Sequence, residues 1–164
     1  MFIVDVEGFK NGSGYFLCKE ITILNAKYGN YQHAEIKMPI DLKLCDYKFV
    51  NQCKWLTNNL HGLEFDATWN STLNYAQISN FLKTFILNNT NNEDDEICVA
   101  VKGSEKKAWL SEILLETQII DLDEEACLRL EDLKKIFKSH HCQQHLHNHL
   151  NCTLENTFNL YNWY

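Results

Sequence analysis

Phe2-Ile3-Val4-Asp5-Val6-Glu7-Gly8-Phe9 decides how the rest of this chain is read. It is an apolar run of strand-forming residues interrupted twice by acids, two positions apart. Side chains alternate across a strand, so Asp5 and Glu7 fall on one face and converge on one point in space. Carboxylates presented in that way are how an enzyme holds a pair of divalent cations. Two acids inside a buried strand are otherwise costly, because an ionised carboxylate loses its hydration there. The stretch therefore reads as a central strand with a site built into it.

Strand signals continue outward from this segment. The turn Lys10-Asn11-Gly12-Ser13-Gly14 leads to a second strand from Tyr15 to Leu24. A further turn, Lys27 to Asn30, leads to a third from Tyr31 to Met38, ending at the single proline, Pro39. Short Gly/Asn turns between such runs predict an antiparallel meander. Phe49, Val50, Cys53, Trp55 and Leu56 suit a helix over Tyr47 to Leu60, closed by His61-Gly62-Leu63 with Gly62 as a left-handed cap. Ile78, Leu82 and Phe85 form the stripe of a second helix over Tyr75 to Leu87. Ile97 to Val101 reads as a buried strand, Glu105 to Leu115 as a helix and Ile119 to Leu122 as a last strand. Leu128, Leu130, Leu133, Ile136 and Phe137 make another helical face, and a final helix runs from about Cys152 to Trp163. This is an α/β chain: three antiparallel strands and then parallel ones in a mixed sheet flanked by helices. No repeat or linker divides it, so residues 1 to 164 form one domain.

Composition narrows the function classes. With 45% apolar and 12% aromatic residues, the 164-residue chain is globular. A net charge of −7 disfavours strong nonspecific phosphate binding. No apolar run reaches the roughly 18 residues of a membrane span, and the N-terminus lacks a signal peptide's charged-then-apolar order. Seven cysteines in such a chain point to an intracellular, reducing setting with free thiols or metal ligands. Cys18, Cys45, Cys98 and Cys127 read as small core residues. Helix-rich ends leave the oligomeric state open.

The same motifs, in this order, resemble the DnaQ-like (DEDD-type) exonucleases of the ribonuclease H-like fold over essentially the whole chain. Asp5-Val6-Glu7 matches the family's first Asp-x-Glu motif. Leu60-His61-Gly62-Leu63 resembles its His-Gly-Ile turn, and Val99 to Lys106 resembles the strand, loop and helix of its second motif. Leu128-Arg129-Leu130-Glu131-Asp132-Leu133 is similar to the helix before its last motif. Asn151-Cys152-Thr153-Leu154-Glu155-Asn156-Thr157 resembles that last motif. The resemblance implies an aspartate where this chain has Lys106, a general-base histidine where it has Asn151, and an aspartate where it has Asn156. A charged lysine ligates no divalent metal, and asparagine is a poor substitute for a carboxylate. The relic pair Asp5 and Glu7 is thus left without its partners, and Lys106 is expected as an ion pair in the metal's place or as an exposed helix residue.

A second constellation is His140-His141-Cys142-Gln143-Gln144-His145-Leu146-His147-Asn148-His149-Leu150-Asn151-Cys152, which holds five of the seven histidines. Cys142 and His145 stand about one helical turn apart, and Cys152 follows from the next element. Thiolate and imidazole together favour zinc, held by four ligands when the site is structural. His140, His141, His147 and His149 are expected to face solvent, with His141 a competitor for the metal. The pattern beside a degenerate third motif resembles the Maelstrom domain of germline RNA silencing, a DnaQ-like fold without the nuclease carboxylates and with a Glu-Cys-His-Cys zinc site. That resemblance implies Cys142, His145 and Cys152 as three ligands. For the fourth, His61 is preferred and Cys53 is the alternative.

The leading expectation is a catalytically degenerate exonuclease-like domain with structural zinc, binding single-stranded RNA or a protein partner, with small-RNA silencing or mobile-element biology as the setting the resemblance suggests. Two others stand beside it. One is an active ribonuclease or 3′–5′ exonuclease using Asp5, Glu7 and a shifted acid such as Glu105, Asp66 or Glu155 with Mg²⁺ or Mn²⁺, or cleaving RNA without metal. The other is a protein scaffold that binds no nucleic acid. Trp69, on a polar loop, is the aromatic to test for base stacking.

Overall fold

The computed structural model describes residues 1–67, 73–90, 96–137, 142, 145 and 151–164. Trp69, most of the acidic run 91–96 and His140, His141, His147 and His149 lie outside the described residues. Strands β1 (Phe2–Lys10), β2 (Phe16–Asn25) and β3 (Tyr31–Lys37) form the antiparallel meander. A short β4 (Leu73–Asn74) lies parallel beside β3, and β5 (Cys98–Val101) and β6 (Gln118–Asp121) extend the sheet in parallel from β1. The order β4-β3-β2-β1-β5-β6 places β1 in the interior of a mixed six-stranded sheet. This is the α/β fold class expected, three antiparallel strands then parallel ones, consistent with a ribonuclease H-like arrangement.

Five α-helices flank the sheet among the described residues: α1 (Tyr47–Leu56), α2 (Ile78–Asn88), α3 (Ser104–Ile113), α4 (Leu130–Ile136) and α5 (Thr153–Trp163). Alternation along β1 sorts them into layers. Val4 and Val6 point into a core with Leu82, Phe85, Trp109 and Leu110 from α2 and α3. Ile3, on the opposite face, packs with Leu133 of α4 and Leu160 of α5. Phe9 closes a third cluster with Phe49 and Cys53 of α1 and with Phe65. None of the described helices is long and apolar enough to cross a membrane.

Most expected elements appear with ends moved by a few residues. α1 runs on as a π-helical turn over Thr57–His61 before Gly62, whose left-handed φ of 67° makes it the expected cap. A 3₁₀ turn, Leu42–Leu44, and β4 were not foreseen. Neither was a bulge in β2. Glu7 opposes Glu20 and Gly8 opposes Cys18, which leaves Lys19 unopposed. The extra residue reverses the alternation, sending Cys18 into the α2/α3 core while Glu20 stays beside Glu7. Gly8 is required at this point. A Cβ there would lie 2.1 Å from the Leu17 carbonyl oxygen, and no relaxation of a side chain relieves a clash with backbone. Lys19 itself is fully buried, donating to the Ile36 and Ala67 carbonyls and pairing with Glu35 at 3.1 Å.

Candidate functional sites

The acid pair and the lysine that spans it

Asp5 and Glu7 share the β1 face that α5 covers, and both are buried. Lys106, from the first turns of α3, reaches across to them. Its Nζ donates to Asp5 Oδ1 at 2.6 Å and to Glu7 Oε1 at 3.1 Å. On the other side Asn156 Nδ2 of α5 donates to Asp5 Oδ2 at 2.8 Å. Four of the five residues singled out by the sequence motifs, all but Asn151, are therefore one hydrogen-bonded cluster, with an ammonium between the carboxylates. Asn151 is partly buried at the approach to α5.

Burial pushes the Asp5 carboxyl up, the Lys106 charge opposes it, and the balance settles at about 6. For Lys106, burial works against the charge, but attraction to Asp5 and Glu7 wins and raises its pKa, so it stays cationic. Two of the three shifted acids considered as replacements are engaged elsewhere. Glu105 pairs with Lys10 at 2.7 Å, and Glu155 pairs with Lys134 at 3.0 Å. Asp66 is exposed on the turn that follows Phe65. Two carboxylates, one ammonium and one neutral amide leave the cluster one negative charge when both acids are ionised.

The Glu-Cys-His-Cys group

Glu20, Cys142, His145 and Cys152 each offer one ligand atom, and these atoms all lie within 4.8 Å of one another. Such a group can bind a metal ion. Glu20 is positioned by β2, whose register sets it opposite Glu7. Its Oε1 meets Cys142 Sγ at 3.2 Å and His145 Nε2 at 3.0 Å, and its Oε2 accepts the Thr153 backbone N–H at the start of α5 at 2.9 Å. His33 on β3 stands behind, its Nδ1 hydrogen-bonded to Thr22 Oγ1 at 2.9 Å and its Nε2 3.6 Å from Glu20.

The fourth member is thus Glu20, where His61 or Cys53 was expected. The His61 ring is committed to backbone: Nε2 donates to the Gly8 carbonyl at 3.2 Å, and Nδ1 accepts from the Leu63 N–H at 3.1 Å. What His61 supplies to the group is its carbonyl oxygen, which accepts from His145 Nδ1. That bond fixes the tautomer that turns His145 Nε2 toward Glu20, the usual way a histidine ligand is oriented. Cys53 is buried in the α1 cluster with Phe9 and Phe49. None of the seven cysteines is in a disulfide; Cys18 and Cys53 lie in the core, and Cys45, Cys98 and Cys127 are partly exposed.

The electrostatics hold Cys152 and Glu20 in their anionic, ligating forms, whereas His145 keeps a proton that a metal would have to displace. For Cys152 the hydrogen bond from Cys142 leads; burial opposes it, His145 assists, and the thiol falls to about 4. Burial alone would raise Glu20, but the His145 hydrogen bond, the nearby imidazoles and the Thr153 N–H bring it down to about 2. His145 is pulled down by burial and pushed up further by Cys152 and Glu20, to about 10. One carboxylate, thiol sulfur and imidazole nitrogen around a common point make a soft, negative donor set.

No protein family and no curated protein matches this chain. The functional reading rests on its own residues.

Proposed function

We propose that this chain is a catalytically degenerate, exonuclease-like domain stapled by structural zinc, which recognises a partner without hydrolysing it. The observation that carries the reading is the Lys106 ammonium bonded to both Asp5 and Glu7, 2.6 and 3.1 Å away. In a two-metal nuclease those carboxylates hold the ions that activate water and steady the leaving oxygen. Here a monovalent, protonated group lies between them, and it can neither polarise a phosphoryl oxygen as a Lewis acid nor lower the pKa of a bound water. Asn156 keeps a donor on Asp5 but brings no negative charge.

Zinc is the metal that suits the second group. Two sulfurs, one imidazole nitrogen and one carboxylate oxygen make four protein ligands with no position left for water, the pattern of a structural site. Glu20 on β2, Cys142 and His145 from the segment after α4, and Cys152 at the head of α5 are far apart in sequence. A cation there would tie the last third of the chain to the centre of the sheet, and its binding energy would become folding energy. A Glu-Cys-His-Cys set beside a sheet whose nuclease carboxylates are replaced supports the resemblance to the Maelstrom domain, and with it an intracellular role in small-RNA silencing or mobile-element control, with RNA or a protein as the partner.

The test is direct. Purified protein incubated with end-labelled single-stranded RNA, with Mn²⁺ or with chelator, is expected to leave the label intact. Mn²⁺-dependent loss of label that disappears in Asp5→Ala would establish the active nuclease instead. Loss that persists in chelator would establish metal-independent cleavage. Metal analysis is expected to find one zinc per chain, lost in Cys142→Ser; a folded, zinc-free wild type refutes the staple.

A further inference from the structure

A cleft of about 430 Å³ opens beside the acid pair, between the end of β1, the π-helical end of α1, and α3. Its walls are mainly apolar, with Phe16, Leu56 and Trp109 among them, and Phe16 meets the Trp109 indole edge-on at 5.5 Å. Glu7, Glu105 and Glu112 line it against Lys10 and Lys106. Both lysines are already taken, Lys10 by Glu105 and Lys106 by Asp5 and Glu7. Glu112, exposed on α3, has no ion pair among the described residues. A phosphate entering this cleft would compete with the carboxylates already on both lysines and would lie beside Glu7, Glu105 and Glu112. A cation meets an unneutralised acid at the lip and aromatic and aliphatic walls behind it.

We propose that this cleft docks a segment of a partner protein carrying an arginine with apolar neighbours. The guanidinium would pair with Glu112 while its methylene stem and the flanking side chains lie along Leu56, Phe16 and Trp109. Arginine suits the place better than lysine: its planar, weakly hydrated head pairs bidentately with a carboxylate and tolerates an aromatic wall. The chain's net charge of −7 draws a basic partner from a distance. This inference rests on the non-catalytic reading above and names the class of ligand for the same groove. The peptide, and not RNA, is what the charge around the cleft favours.

The experiment is an NMR titration of the zinc-loaded ¹⁵N protein with three probes: an acetylated, amidated Leu-Arg-Leu tripeptide, its Leu-Glu-Leu counterpart, and a short oligouridylate. Saturable shifts at the Trp109 indole and the Glu112 amide are expected with Leu-Arg-Leu alone. Glu112→Lys should weaken binding at least about tenfold, as removal of a specific interfacial charge pair does. Glu131→Lys, the same charge change at an exposed position of α4, should leave it within about twofold. Equal weakening by both variants, no shifts at millimolar peptide, or preferential binding of the glutamate peptide or of the oligouridylate in the cleft would each overturn the proposal. An intact oligouridylate with no peptide binding would sink this inference while leaving the non-hydrolytic reading standing.

Discussion

Replacing Lys106 by methionine removes the ammonium at nearly constant volume and isolates what it does for the two acids. Asp5 is fully buried and Glu7 has only 11% of its side chain exposed, while Lys106 retains 22%. Removing one partner of a buried pair costs about 3–5 kcal/mol, because the remaining charge is neither solvated nor neutralised. The lower end applies here, since Asp5 can take a proton instead of staying charged. A loss of about 3 kcal/mol at neutral pH corresponds to about 6–12 °C in Tm for a chain of this size. The pH dependence identifies the cause. In the wild type the folded pKa of Asp5 is about 6 against an ordinary 3.8, so between those values the folded state holds a proton that the unfolded state has released. Stability therefore falls as pH rises through that window, by up to about 3 kcal/mol for two units. Without Lys106 the Asp5 pKa moves further up, so the variant goes on losing stability above the pH at which the wild type levels off. The deficit should be smaller at pH 5, where Asp5 is protonated and the bond to Glu7 is what the variant lacks, and full at pH 7.5 by urea denaturation. A deficit equal at both pH values would mean that the ammonium does not act through Asp5, and one below about 0.5 kcal/mol that it does not stabilise the acid pair.

Three further outcomes follow from the same contacts. Asn156→Ala takes the amide donor from Asp5 Oδ2 and should cost about 1–3 kcal/mol while moving the Asp5 carboxyl above about 6, visible in a carboxyl ¹³C titration. Gly8→Ala drives a methyl onto the Leu17 carbonyl and should destabilise by at least about 1–3 kcal/mol in equilibrium unfolding, with the β1–β2 amide resonances displaced. Glu20→Gln should lower zinc content and the midpoint of thermal unfolding together, and a chelator should then change the variant less than the wild type.

How far the site was legible follows from where each residue sits. Asp5 and Glu7 stand out as acids inside an otherwise apolar strand, and Lys106 and Asn156 are singled out by the resemblance of their segments to family motifs, in a register that Glu105 and Glu155 next door leave open by one residue. α2 was legible through Ile78, Leu82 and Phe85, and the end of α1 through Gly62. Glu20 was not. It lies on a strand buried on both faces, where alternation carries no polarity signal, and the bulge at Lys19 shifts the alternation just before it. Its partners come from a segment more than a hundred residues away. His61 shows a different failure. Its neighbourhood was anticipated, but the atom that counts is its backbone oxygen, which no side-chain argument selects. β4 and the Leu42–Leu44 turn are too short to impose a period. One cue had been available: a glutamate midway along an apolar strand carries the same burial cost that drew attention to Asp5.

The central claim is that a lysine ammonium has taken the place of a divalent cation between Asp5 and Glu7. Manganese uptake followed by electron paramagnetic resonance on zinc-loaded protein tests it most directly, with the wild type beside a Lys106→Asp, Asn156→Asp double variant. The wild type should leave all of the Mn²⁺ signal free, and the double variant should quench it by binding at the restored acids. Wild-type uptake of Mn²⁺ that is abolished in Asp5→Ala would contradict the account.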